Sequence, residues 1–280
     1  MIDGEVDEKA KRGWSVARVR GVVLDQCRDL FVAVQFLTRL PTPRVDLDDE
    51  LERRLILGRS TVYFPVVGAF LGAVTGGTIL LAAQLWPIAI AVALGLAFEA
   101  LLTGAFHEDA VADFCDAFGG GWTREDILRI LKDSRVGSFG VLGLGLAVTL
   151  RGVALGSIEA DRLLSASMAS ASLGRWAALL AMWALPPIAD RPSLSRDVGR
   201  QVPIGRLLLG TALALPGCVG LAVVSPWRLA AAVAAILAVT AWLVRYVGRR
   251  IGGINGDSLG FLCYVAQVVV LLAAAAGEVG

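Results

Sequence analysis

The chain of 280 residues holds one histidine and four widely separated cysteines, Cys27, Cys115, Cys218 and Cys263. With no CxxC pair and no second histidine, neither a zinc site nor a disulfide framework is expected. Charge is scarce too: Asp, Glu, Lys and Arg supply 18% of residues, where a soluble domain carries about a quarter. The net charge of +1 lacks the basic excess of a nucleic-acid binder, so no nucleic-acid partner is expected. The N-terminus mixes acids and bases with no apolar core behind it, so no signal peptide is expected.

What is abundant is apolar surface and glycine. Apolar residues make up 56% and glycines number 32, and mean hydropathy is +0.69. This combination predicts an all-α, polytopic membrane bundle rather than a soluble all-α domain. Runs of about twenty apolar residues, long enough to cross the hydrocarbon, fall at about 63–86, 87–106, 138–158, 163–185, 205–225, 227–247 and 258–276. They predict about seven transmembrane helices within a catalytic region, 63–280. Residues 1–62 form an N-terminal region: a polar tail to residue 20, then a helix over 21–40. Asp25, Arg28 and Asp29 interrupt the apolar face of that helix. It suits the membrane interface or packing on the bundle equally, and Pro41 and Pro43 end it. In the first span Gly68, Gly72 and Gly76 line one helix face for close packing.

The connections alternate between long and short. With seven spans, the N-terminal region, 107–137, 186–204 and 248–257 share one side. Of the 26 Lys and Arg, only Arg162 and Arg228 fall opposite, and Arg151 and Arg175 lie inside spans with Glu99. The positive-inside rule places the polar side in the cytoplasm. The charges within spans are expected to pair or to line a cavity.

Polar chemistry concentrates in 104–137. Asp109, Asp113 and Asp116 follow i, i+4, i+7 spacing, which puts them within roughly 60° on one helix face. Like charges so placed repel, and a bound cation resolves the repulsion. Oxygen donors without soft ligands point to Mg²⁺ or Mn²⁺. His107 opens the segment as base, metal ligand or phosphate donor. Gly119, Gly120 and Gly121 end the helix, and their N–H groups are available to a phosphate. Thr123 caps a short amphipathic helix. Beyond it, Lys132, Asp133, Ser134 and Arg135 supply two cations, a hydroxyl and a carboxylate for an anionic substrate. Asn255 and Asp257 return to the same side just before the last span. Together these residues predict a divalent-metal site for phosphoryl chemistry at the membrane surface.

The motifs FLTRLPTP (36–43), FPVVGAFLGA (64–73), TGAFHEDAVADFCDAFGGG (103–121), LKDSRVGSFG (131–140) and GGINGDSLG (252–260) together resemble the cobalamin synthase family, the adenosylcobinamide-GDP ribazoletransferases. A looser local likeness links the spaced aspartates to CDP-alcohol phosphotransferases. Ala110 stands where the family often has glycine, and Tyr264 and Gln267 where it commonly carries acids. The resemblance implies a multi-pass enzyme of the cell inner membrane, with its active site facing the cytoplasm. It implies Mg²⁺ as cofactor, with adenosylcobinamide-GDP and α-ribazole or its 5′-phosphate as substrates. By that resemblance His107, Asp109, Asp113 and Asp116 are the catalytic positions and the three aspartates the metal ligands. Lys132, Asp133, Ser134, Arg135, Asn255 and Asp257 are then the substrate contacts. Self-association, or association with other cobalamin-assembly enzymes, is compatible with it. The readings from other classes are a transporter and a membrane scaffold subunit.

Overall fold

In a computed structural model, residues 24–43, 50–188 and 202–277 are described, the side chains of 50–54 excepted. The N-terminal tail and most of the 186–204 connection lie outside them. Residues 24–37 form α1, which buries Val32, Ala33 and Leu37 against the bundle. The helical reading of 21–40 holds over 24–37, with 21–23 outside the described residues, and its apolar face packs on protein. Glu50–Ser60 forms α2. A 3-10 turn, Thr61–Tyr63, then leads without a break into α3, Phe64–Ala82.

Next come α4, Ile88–Thr103; α5, Phe106–Gly120; α6, Arg124–Ile130; α7, Ser138–Gly156; and α8, Ala160–Ala184. The rest are α9, Ile204–Val224; α10, Pro226–Ile251; and α11, Gly256–Ala275. No strand occurs among the described residues.

The fold is the expected all-α membrane bundle, and seven is an approximate count of its spans. Five helical runs are long and apolar enough to cross alone: Leu55–Ala82, Ser138–Gly156, Ile204–Val224, Pro226–Ile251 and Gly256–Ala275. Counting α4 with α5, which is bent from it by 90°, gives six. At 16 residues, α4 reaches only about 24 Å. The remaining expected span, α8, is 25 residues long but serine-rich. It runs between α3, α9 and α11 and buries most of its length in protein, so it meets little lipid and has no need of an apolar outer face.

Small residues make these crossings close. A Cβ added at Gly68 would sit 2.2 Å from the Ala171 carbonyl oxygen, and one at Gly72 2.2 Å from that of Ser167. The glycine face read from the sequence is thus the α3–α8 contact. Exposed tryptophans mark the two ends of α10. Trp227 stands at its start, and Trp242 stacks on Tyr246 at 5.3 Å near its end. The 15 to 19 residues between them span about 22–28 Å, close to the thickness of the hydrocarbon.

The long connections meet at one end of the bundle. Ile254 N–H donates to the Pro186 carbonyl (2.9 Å) and Ile188 N–H to that of Ile254 (3.2 Å). Arg250 Nη2 donates to the Gly121 carbonyl (2.6 Å) and Arg124 Nε to that of Ile251 (3.2 Å). At the opposite end Arg228 Nη2 donates to the carbonyl of Ala276 (2.7 Å).

Candidate functional site

The site begins at a break. Gly104 (φ +70°) and Ala105 (φ +56°) are both left-handed, and this pair turns the chain from α4 into α5. Glycine takes that conformation freely, whereas alanine takes it at a cost of about 1–2 kcal/mol. Arg39 closes over the break. Its N–H donates to the Leu102 carbonyl (2.7 Å), and its Nε occupies the space a Gly104 Cβ would need. The FLTRLP motif therefore serves the break. Running at 90° to α4, α5 lies across the first turns of α7 and α11. Phe114 stacks on Phe261 at 4.0 Å and on Phe118 at 4.3 Å. Ala110 fills the place where a Gly260 Cβ would be, 2.4 Å away. That close crossing brings Asp257 beside the acids of α5.

Of the three spaced aspartates, two are available to a ligand. Asp109 is exposed and Asp113 half-buried. Burial, then Asp109, Asp257 and Asp116 in turn, push the Asp113 carboxyl up to about 6. Asp116 is buried and already engaged. Its two oxygens accept from the N–H groups of Gly137 (2.6 Å) and Gly140 (2.7 Å), so it caps α7 and favours its positive end. Among the described residues no three His, Cys, Asp or Glu side chains are assembled as a metal-binding group. The ligand set Asp109, Asp113 and Asp116 is therefore not brought together: the third member faces the α7 backbone. The spacing places three acids on one face but does not reveal what the last one meets.

His107 points inward. It is 5% exposed and lies edge-on to Phe106 at 5.3 Å; the Phe106 ring packs on Phe36, which in turn stacks on Phe64. Burial, then Arg175 and Arg151, hold its imidazole well below the usual histidine range, so it is neutral. Within the glycine run, Gly119 and Gly121 are required by packing, and Gly120 is exposed. Gly121 N–H is used on the Ala117 carbonyl (3.0 Å), and a Cβ at Gly119 would meet the Phe139 ring at 2.9 Å.

Thr123 caps α6 as expected, accepting from Asp126 N–H (3.1 Å). Beyond it, Lys132, Ser134 and Arg135 are exposed. Arg135 Nη2 donates to Asp133 Oδ2 (2.6 Å), and the hydrogen bonds from Arg135 hold Asp133 down at about 2. This loop ends at Gly137, on Asp116, and Asp116 lies one turn from Asp113. Asn255 is buried and caps α11, accepting from Ser258 N–H (3.2 Å) while its Nδ2 donates to Asp257 Oδ2 (2.7 Å). Asn255 thus orients Asp257 and has little surface left for substrate.

The charges within the spans pair as expected, Glu99 with Arg151, and the pair lies beneath α5. Arg151 Nη2 donates to Glu99 Oε2 (2.6 Å) and to Gln267 Oε1 (3.2 Å), and its guanidinium lies over the Tyr264 ring at 5.3 Å. The two positions where the resemblance leads to acids, 264 and 267, therefore carry neutral partners of one arginine. Arg175 is 1% exposed. Its Nη1 donates to the Ala171 carbonyl (3.2 Å), and Nε and Nη2 have no partner among the described residues. The available signal was charge within apolar runs.

The fold and site define a polytopic helical membrane protein with an acid-and-arginine site across one end of the bundle. The chain belongs to the cobalamin-5-phosphate synthase (CobS) family, whose model matches residues 29–275. It is 35% identical over 263 residues to an adenosylcobinamide-GDP ribazoletransferase of Leptothrix cholodnii, covering 91% of this chain and 97% of that one. A protein of the same name from Shewanella frigidimarina is 35% identical over 259 residues (89% and 94%). Another from Leptospira biflexa is 33% identical over 268 residues (89% and 95%). No solved structure matches.

Proposed function

We propose that this chain is an adenosylcobinamide-GDP ribazoletransferase. It joins adenosylcobinamide-GDP to α-ribazole or its 5′-phosphate and releases GMP, at the cytoplasmic face of the inner membrane. Family membership and the names of near-full-length relatives support this. The observation that carries it is the nearness of Asp109 and Asp257 to Asp113, whose carboxyl they help to raise, on the helix whose Asp116 binds Gly137 at the end of the loop that holds Lys132 and Arg135. Carboxylates that crowd one another, on a helix tied to a loop with exposed Lys132 and Arg135, suit a diphosphate substrate.

The donor set fits Mg²⁺ in part. Asp109 and Asp113 offer oxygen ligands, with Asp257 near Asp113, but the described acids are not assembled as a three-ligand group and Asp116 has both oxygens engaged. Asp109 and Asp113 would hold Mg²⁺, which would supply charge neutralisation for the diphosphate and the departing GMP. Lys132 and Arg135 bind phosphate oxygens. The ribazole hydroxyl attacks the cobinamide-bearing phosphorus and its proton passes to a carboxylate, Asp109 or Asp113. His107 suits the base role poorly, because its protonation adds a positive charge beside Arg151 and Arg175.

The test is incubation of the purified protein alone, in detergent or liposomes, with adenosylcobinamide-GDP, α-ribazole and Mg²⁺. GMP release equal to the cobalamin formed, abolished by chelation, is the expected result. No release in any divalent cation overturns the reading, and release only with added soluble proteins favours a scaffold subunit.

A further inference from the structure

The 90° break between α4 and α5 needs an external support. The N-cap residue of α5, Ala105, has no side chain with which to cap it, and it is left-handed like Gly104 before it. One support is the Arg39–Leu102 backbone bond (2.7 Å) described above. On the other side stands Arg151, buried in α7. Its Nη2 is fixed by Glu99 of α4 and Gln267 of α11, and Thr75 of α3 donates to the same Glu99 oxygen (2.6 Å). Its Nη1 lies 3.7 Å from Glu108 Oε1, in the first turn of α5. One planar guanidinium thus joins α4, α7 and α11 to the helix that carries Asp109 and Asp113. The α11 end of the connection belongs to the helix that carries Asp257.

We propose that Arg151 and Glu108 form a strut that sets the angle of α5, so that Asp109 and Asp113 face Asp257 in the orientation ribazole transfer requires. Both are positioning residues, acting through α5 from beneath the site. The inference rests on the reading of those acids as the reacting centre.

Arginine is needed because it forks. A lysine at 151 presents a single point charge, which can hold Glu99 but not Glu99 and Glu108 together. The full-length proteins to compare are Arg151→Lys, Glu108→Gln, the double variant and Asp113→Asn, each assayed for kcat, KM and thermal unfolding. Glu108→Gln is expected to unfold within a few degrees of the parent, with kcat lowered about 10- to 100-fold, the scale of a misplaced reacting group. KM for adenosylcobinamide-GDP should stay within about twofold. Arg151→Lys should show the same kcat defect, and the double variant should be no worse than either, since both remove one contact. A merely structural role would reduce the folded fraction and leave kcat per folded molecule unchanged. Parental kcat in Glu108→Gln, or defects that multiply in the double variant, overturns the strut. If Arg151→Lys fails to fold, Glu108→Gln decides alone. An inactive Asp113→Asn beside a normal Glu108→Gln rejects only the strut. An active Asp113→Asn rejects the reading of the acids and the strut with it.

Discussion

Asp116 of α5 holds the first turn of α7, with one carboxylate oxygen on Gly137 N–H and the other on Gly140 N–H. Removing it leaves two N–H groups without their acceptor, and losing a helix cap costs about 0.5–2 kcal/mol. Asp116→Ala should therefore lower the unfolding midpoint, and Asp116→Asn, which keeps one acceptor, should lower it less. Gly140→Ala should resemble Asp116→Ala, because its Cβ would stand 2.2 Å from Asp116 Oδ2. The Mg²⁺ concentration for half-maximal turnover should be unchanged in Asp116→Asn. A tenfold rise would return Asp116 to the metal.

Packing at the α3–α8 contact makes a second prediction. A Cβ at Gly72 would meet backbone, the Ser167 carbonyl oxygen at 2.2 Å and Met168 Cα at 2.7 Å, and neither can turn aside. Gly72→Ala should destabilise by about 1–3 kcal/mol, the usual scale of overpacking. Gly77, with nothing within 4 Å, is the control. Gly77→Ala should be neutral or stabilising, since alanine is the better helix former. Unfolding in graded denaturing detergent measures both. Equal loss in the two variants would mean that the contact contributes nothing special.

How much of this was legible depended on whether the cause was local. The Gly68–Gly76 face follows from a four-residue period, and the Thr123 cap from a residue type three places before its partner, so both could be read. The partner of Asp116 lies 21 residues on, in a loop whose path only tertiary packing decides, so its carboxylate was read as a metal ligand. The break at Gly104–Ala105 was hidden because alanine carries no signal for a left-handed conformation. The glycines at 119–121 suggested a phosphate cradle, but they make room for Phe139 and Ile127. Five to six helical runs pass as spans on length and composition because α8 is sheltered by protein and α4 is short. Hydropathy cannot distinguish a helix that faces lipid from one that faces other helices.

The Glu99–Arg151 pair, with both side chains about 5% exposed and 2.6 Å apart, predicts an asymmetry. Breaking a buried pair by removing one charge costs about 3–5 kcal/mol, whereas replacing both charges by apolar groups is often neutral. Glu99→Met should therefore unfold at much lower temperature than the parent, and Glu99→Met with Arg151→Met should recover much of the loss. The double variant keeps its fold and loses the support under α5, so its stability should recover further than its turnover. Thermal unfolding and kcat, measured on the same preparation, separate the two effects.

The raised carboxyl of Asp113, at about 6 where an unperturbed aspartate stands at 3.8, predicts a proton signature for cation binding. The folded protein holds this proton to higher pH than the unfolded chain, so the linkage has a definite sign. In metal-free protein the penalty from Asp113 builds as pH rises from about 4, is complete above about 6, and is absent below about 4. Asp113→Asn should accordingly raise the metal-free unfolding midpoint at pH 7 and have little effect at pH 4. The gain should be about 1 kcal/mol, well below the full linkage value, because the group is partly solvated. A divalent cation held by these acids must displace the proton. Near pH 6 about half a proton per protein should be released on adding Mg²⁺, and near pH 8 almost none. The weakly buffered protein titrated in a pH-stat reports this directly. Release that persists at pH 8, or survives in Asp113→Asn, would place the displaced proton on another group and remove Asp113 from the cation site.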